Sequence, residues 1–170
     1  MPRSNGAWPR PGLPHTLLRS NAFMQNLLML APGIARTGGF ASSAGSGRIG
    51  MVDARDVGAV AAEVAADPAR HTGRTYRLSG PELVSYGDVA GVLSDVLGRP
   101  VTFRARSREG DQAEMIRAGL PPKVAGMNAL AVSLFADGDA EWLSPDVPEL
   151  LGRPARSIRQ FTEDNAAAFS

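Results

Sequence analysis

The sequence predicts an α/β fold, and three observations carry that expectation. Short apolar runs of strand length recur at 15–19, 48–53, 75–79 and 101–104. Between them lie stretches whose apolar residues return every three or four positions, the spacing of an amphipathic helix. The boundaries carry helix-start and helix-stop chemistry rather than the evenly spaced turns of an all-β chain.

The first strand, 15–19, follows a segment, 1–12, that shows no periodicity and reads as irregular. Asn21 stands where an N-cap would start the next helix. Phe23, Met24, Leu27 and Leu28 form one apolar stripe, and Pro32-Gly33 is expected to stop it. Residues 33–47, with five glycines and three serines, read as a long loop. After the strand at 48–53, Asp56 is the expected cap of a helix whose face carries Val57, Val60, Ala61 and Val64. Asp67-Pro68 ends it.

Strand 75–79 and the turn Gly80-Pro81 lead into the clearest helix. Ser85 and Asp88 make a capping-box pattern, and Val89, Val92, Leu93, Val96 and Leu97 line one face. Gly98 and Pro100 mark its end. Strand 101–104 follows. Beyond 110 the alternation ceases. Asp111 with Glu114 is expected to start a short helix to 118. Pro122 opens another, to about 136, with Val124, Met127, Leu130 and Leu134 in register. Residues 140–151 read as loop or one helical turn, and Ser157 with Gln160 is a second capping box opening the last helix.

Composition narrows the chemistry. A chain of 170 residues that is 44% apolar can bury an ordinary core. Eighteen basic against 17 acidic residues give a net charge of +1, which offers no reason to expect a nucleic acid or an anionic membrane as partner. The longest apolar run, 27–31, is far short of a membrane span, and no export signal is visible. The chain has no cysteine. That excludes disulfides, thiolate metal sites and a cysteine nucleophile, and it fits a cytoplasmic location.

Several segments, taken in order, carry a resemblance: LLRSNAFMQNLL, GRIGMVDARDVGAVAA, GRTYRLSGPELVSYGDVAGVLSDVLGRPVTF and LLGRPARSIRQFTEDNAAAF. Together they resemble the C-terminal half of NmrA-like proteins, which are atypical short-chain dehydrogenase/reductases. The resemblance covers 13–170. It implies the last sheet strands of a Rossmann-type NAD(P)-binding fold, plus a small, mostly helical substrate lobe. It also implies that the N-terminal, glycine-rich half lies upstream. No G-x-G-x-x-G lies between a strand and a helix here, since Gly33, Gly38 and Gly39 come after a helix. The chain is therefore expected to be an N-terminally truncated member.

From the resemblance, the turn Arg19-Ser20-Asn21 is expected to line the nicotinamide end of an NADP or NAD cleft. The family usually has proline where Ser20 stands, and serine retains a backbone donor there. Phe23, Met24 and Asn26 are expected to face the substrate. Against these stand plainer readings: a helix cap with a surface arginine, and an ordinary apolar core face. With half the cleft absent, the plainer reading of the turn carries more weight.

The Tyr-x-x-x-Lys pair of ordinary short-chain dehydrogenases is missing. Tyr76 and Tyr86 are followed four residues later by Gly80 and Ala90, and the only lysine is Lys123. Asp53 and Asp56, flanking Arg55, read better as cap and strand end than as an acid–base pair. His15 and His71 lack partners at metal-ligand spacing. Arg153, Arg156 and Arg159 read as a solvated face that pairs with Glu163 or Asp164.

The expected function is an NAD(P)H-dependent oxidoreductase-like protein passing a hydride to a small acceptor such as a quinone. The alternatives are a non-enzymatic NAD(P)-sensing regulator, or an inactive fragment that binds no nucleotide. Without its neighbouring strands, strand 15–19 would expose an open edge, so self-association is expected as well.

Overall fold

The computed structural model describes residues 13–170, so the expectation for 1–12 lies outside the described residues. Two short parallel strand pairs organise the chain. Strand β1 (Leu17–Ser20) runs beside β3 (Thr75–Leu78), with Leu17 opposite Thr75 and Ser20 opposite Leu78. Strand β2 (Gly39–Ser42) runs beside β4 (Thr102–Ala105). Parallel pairing needs crossover connections, and helices supply them.

The path from β1 to β2 differs from the expected single helix. A 3₁₀ helix, Met24–Met29, is capped by Phe23, which contributes no side-chain bond. Asn21 is therefore not the N-cap. Pro32 does not end a helix. It occupies the first turn of α1 (Ala31–Thr37), where its missing N–H costs nothing. The presumed loop at 33–47 thus holds most of α1 and all of β2. Gly39 allows β2 to approach β4, because a Cβ there would lie 2.6 Å from Thr102 Oγ1.

The run at 48–53 forms only isolated bridges, Ile49 with Val84 and Val52 with Phe23. Helix α2 (Ala54–Ala66) begins at Asp53, whose side chain accepts from the Arg55 amide. Asp53, not Asp56, is the cap. A single turn, α3 (Pro68–His71), returns the chain to β3. Helix α4 (Tyr86–Leu97) carries the complete capping box of Ser85 and Asp88. Helix α5 (Arg108–Arg117) is capped by Ser107, one turn earlier than the Asp111 start expected.

Helix α6 (Pro122–Ser133) reverses its expected face. Ala125 and Ala129 are fully buried, while Val124, Met127, Leu130 and Leu134 are exposed. Small residues let α6 lie close to α5, so the larger apolar side chains point outward. Helix α7 (Asp146–Leu151) packs near β3. The second capping box, Ser157 with Gln160, opens α8 (Ile158–Asp164).

Two apolar clusters result. The larger joins the 3₁₀ helix, α1, α4 and α8 around Met24, Leu27, Ile34, Leu93 and Phe161. The smaller backs the β1–β3 pair, where Val52, Val60, Leu78 and Val147 meet. Among the described residues β1 has one strand neighbour, and Leu17 on it is exposed. No helix among them is long and apolar enough to cross a membrane.

Candidate functional site

The carboxyl end of β1 opens into a cavity of about 290 Å³. Ligands in open α/β folds sit at this end of the strands. Ala22 and Asn26 bring the strand-end turn to the cavity wall, and Met29, Leu30 and Met51 continue it. Helices α5 and α6 close the far side with Met115 and Val132, and the turn after α6 adds Phe135. The polar groups are few: Asn26, Ser42, Tyr86, Asp111 and Asn128. An apolar lining with a handful of placed polar groups is the usual composition of a small-molecule site.

Asp111 is nearly buried and accepts from the Ser43 amide at 2.6 Å. Arg106 lies 3.8 Å from its other oxygen. Tyr86 is nearly buried as well, gripped edge-on by Phe40 and Phe103. Burial first, and the nearby Asp111 carboxylate second, push its phenol up to about 12. Tyr86 is therefore a neutral O–H at neutral pH.

The expected cofactor residues divide. Arg19 is exposed and Ser20 half-buried at the strand end. Asn21 is buried, and its side chain is tied to the backbone on both sides. Its amide donates to the carbonyls of Ala140 at 3.0 Å and Trp142 at 3.3 Å, and its oxygen accepts from the Ala22 amide. Both amide hydrogens of Asn21 are thus spent bracing the turn from behind, and its oxygen is held by the Ala22 amide. Contrary to expectation, one G-x-G-x-x-G string, Gly45–Gly50, does lie between a strand and a helix, β2 and α2. It does not open the helix. Ile49 within it bridges to Val84, α2 starts only at Ala54, and Gly47 and Gly50 are backed by the carbonyls of Phe135 and Trp142, so it does not set a helix N-terminus against a pyrophosphate.

The expected substrate residues divide too. Only Asn26 lines the cavity. Met24 is buried in the larger core cluster, and Phe23 is a partly exposed bridge residue beside Val52. The resemblance treats the segment as one helix face; it is a 3₁₀ helix with three residues per turn, which sends Phe23, Met24 and Asn26 in different directions. Tyr86 and Asp111 are site residues that their local patterns assign elsewhere, to a helix start in each case.

The aspartates after β1's crossover do structural work. Asp53 is buried, and its carboxylate meets Gln25 at 2.7 Å and Arg156 at 2.8 Å besides the Arg55 amide. Burial alone would raise its pKa. The Arg55 amide, Arg156 and Gln25 outweigh that and hold it below the ordinary value. Arg156 also pairs with Asp164, and its own pKa is raised, chiefly by Asp53. Asp56 is fully buried between Arg153 and the Arg156 amide. Arg159 pairs with Asp95. Of the three arginines read as a solvated face, Arg156 alone pairs as expected with Asp164, and it is largely buried.

The chain is 36% identical over 162 residues to an NAD(P)H azoreductase of Xenophilus azovorans, covering 93% of this chain and 55% of that protein. An NADPH-dependent quinone oxidoreductase from Escherichia coli superposes with a TM-score of 0.83 at 29% identity, over 94% of this chain and 56% of the enzyme. That enzyme has also been solved with NADPH. The chain matches the C-terminal half of the NmrA-like NAD(P)-binding reductases. NmrA itself, a negative transcriptional regulator solved with NAD, aligns at a TM-score of 0.65 and 19% identity over 90% of this chain and 52% of its own, a likeness of fold alone. No protein-family model matches the chain. The NmrA-like match fixes the class as the C-terminal part of a Rossmann-type α/β fold. The chain spans about half the length of the curated relatives it matches.

Proposed function

We propose that this chain supplies the acceptor side of an NAD(P)H-dependent reductase that passes a hydride to a small organic acceptor such as a quinone. The observation that carries this reading is the cavity at the end of β1, reached from the same turn that holds Arg19 and Ser20. A dihydronicotinamide, when bound, supplies the hydride. Arg19 and Ser20 would present their polar groups at its edge, while Asn21 fixes the turn they stand on. The apolar wall of Met29, Leu30, Met51 and Phe135 would hold the acceptor and keep water from it. The names of the relatives, an azoreductase and a quinone oxidoreductase, support a small acceptor. The lack of cysteine and of a membrane-length helix among the described residues supports a place in the cytoplasm.

The test is calorimetric titration of NADPH and NADH into two polypeptides. One is the chain alone. The other is the chain fused behind the N-terminal half of the Escherichia coli quinone oxidoreductase. Quinone-dependent oxidation of NADPH by the fusion is the expected result. Nucleotide binding without turnover would replace this reading with that of an NAD(P) sensor. A folded fusion that binds no nucleotide would overturn both.

A further inference from the structure

The polar end of the cavity has a feature that the apolar wall does not explain. Tyr86 is 6% exposed and lines the cavity. Its ring is buried, but its hydroxyl keeps accessible surface there and makes no hydrogen bond with the described residues, so it is free to meet a bound molecule. Its ring has little room to turn. Phe40 and Phe103 stand edge-on to it at centroid distances of 5.7 and 5.9 Å. Its backbone is the first residue of α4, fixed by the Ser85–Asp88 box. Beside it Asp111, 5% exposed, keeps one oxygen on the Ser43 amide. The result is one immobilised donor and one carboxylate, with Arg106 3.8 Å from its other oxygen, at the same end of an apolar cavity.

We propose that Tyr86 is the positioning residue for the acceptor, donating its O–H to a carbonyl oxygen, and that Asp111 makes the cavity selective for uncharged acceptors. This deepens the reductase reading and rests on it. The volume, about 290 Å³, lies at the small end of ligand sites, which span roughly 300–1,000 Å³. It suits a planar acceptor of one or two rings. A phenol that stays protonated at neutral pH donates without needing a base beside it. A carboxylated acceptor would set two negative charges together in a poorly solvated space.

Three probes of equal ring size separate these roles: naphthoquinone, naphthalene and naphthoate. Their binding to the whole chain is followed by amide chemical shifts. The absence of cysteine removes thiol addition as a complication with the quinone. Naphthoquinone is expected to bind more tightly than naphthalene. Tyr86→Phe should weaken naphthoquinone by about 3- to 10-fold and leave naphthalene unchanged, the size of one hydrogen bond. Asp111→Asn, which keeps an oxygen for the Ser43 amide, should strengthen naphthoate by about 5-fold or more while naphthoquinone changes little.

Equal binding of naphthoquinone and naphthalene by the native chain would overturn the role of Tyr86 while leaving the cavity reading intact. That comparison needs no variant, so a misfolded Tyr86→Phe protein does not shelter the proposal. Naphthoate that binds as well as naphthoquinone would overturn the role of Asp111. Failure of all three probes would remove the acceptor cavity and this proposal together.

Discussion

Replacing Asp53 tests whether α2 is held to the rest of the molecule by one buried carboxylate. The side chain does two jobs. It caps α2 through the Arg55 amide at 2.9 Å, and it pairs with Arg156 at 2.8 Å while also receiving Gln25. Losing a cap costs about 1 kcal/mol. Breaking a buried ion pair from one side costs about 3–5 kcal/mol, but Arg156 is 22% exposed and retains Asp164, which lowers that figure. Asp53→Ala should therefore cost about 3 kcal/mol. Asp53→Asn keeps a capping oxygen and should cost about 2 kcal/mol. Urea unfolding of the three proteins reads the order directly. The pH profile reads the charge. The folded pKa lies below the ordinary value of 3.8, so the carboxylate's contribution is complete above that value. It is lost as pH falls through the folded value. The gap between native and Asp53→Asn proteins should be constant near neutrality and close under strong acid. A gap that is unchanged at pH 2, or an alanine variant within 0.5 kcal/mol of native (a typical surface effect, roughly), would refute this account of the strap.

Three further outcomes are expected. Asn21→Ala removes a donor from the Ala140 carbonyl, which keeps the Gly50 and Trp142 amides, and from the Trp142 carbonyl, and should cost about 1–2 kcal/mol in urea unfolding. Gly80→Ala would place a Cβ 2.1 Å from the Met51 carbonyl oxygen, and should cost about 3 kcal/mol or prevent folding. Strand β1 has one strand neighbour among the described residues and carries exposed Leu17, so the chain should self-associate with rising concentration in sedimentation velocity. Leu17→Lys should reduce that association; a native chain that stays monomeric at every concentration would remove the edge-pairing account.

Local chemistry in the sequence reported local structure well. The boxes at Ser85 and Ser157 each use a side chain to satisfy an amide three residues away, and both helices start as read. What the sequence concealed depends on partners far along the chain. GFAS at 39–42 has little strand character of its own. It becomes β2 because β4, some sixty residues later, offers a parallel ladder and Gly39 permits the close approach. The stripe on α6 misled for the opposite reason. Its periodicity is real, but a helix with Ala125 and Ala129 on the reverse face can pack more closely there. Which of two faces turns inward is decided by α5.

The site shows the same division more sharply. The strand-to-turn join at 19–21 was legible because a strand end is a local event, and it does lead to the cavity. The wall across from it was not. Asp111 carries the mark of a helix start, an acidic residue ahead of Glu114, and that pattern is satisfied equally well one turn later than the true cap at Ser107. Its actual partner, the Ser43 amide, is 68 residues away. Asp56 repeats this, since its partners Arg153 and Arg156 lie 97 and 100 residues away. A buried aspartate in the first turn of a helix therefore has two calls on it, the helix end and a distant donor, and only burial separates them. Exposure costs a carboxylate nothing, so an aspartate withdrawn from water must be matched by donors that compensate its lost hydration. Asp53 and Asp56 are matched by Arg153 and Arg156 in the segment before α8, and Asp53 also by Gln25 and the Arg55 amide. Asp111 is matched by one amide and by Arg106, 3.8 Å away, and it faces a cavity beside a phenol with no partner among the described residues. That imbalance, and not the acidic residue itself, is why this end of the cavity is the place to test for a bound acceptor.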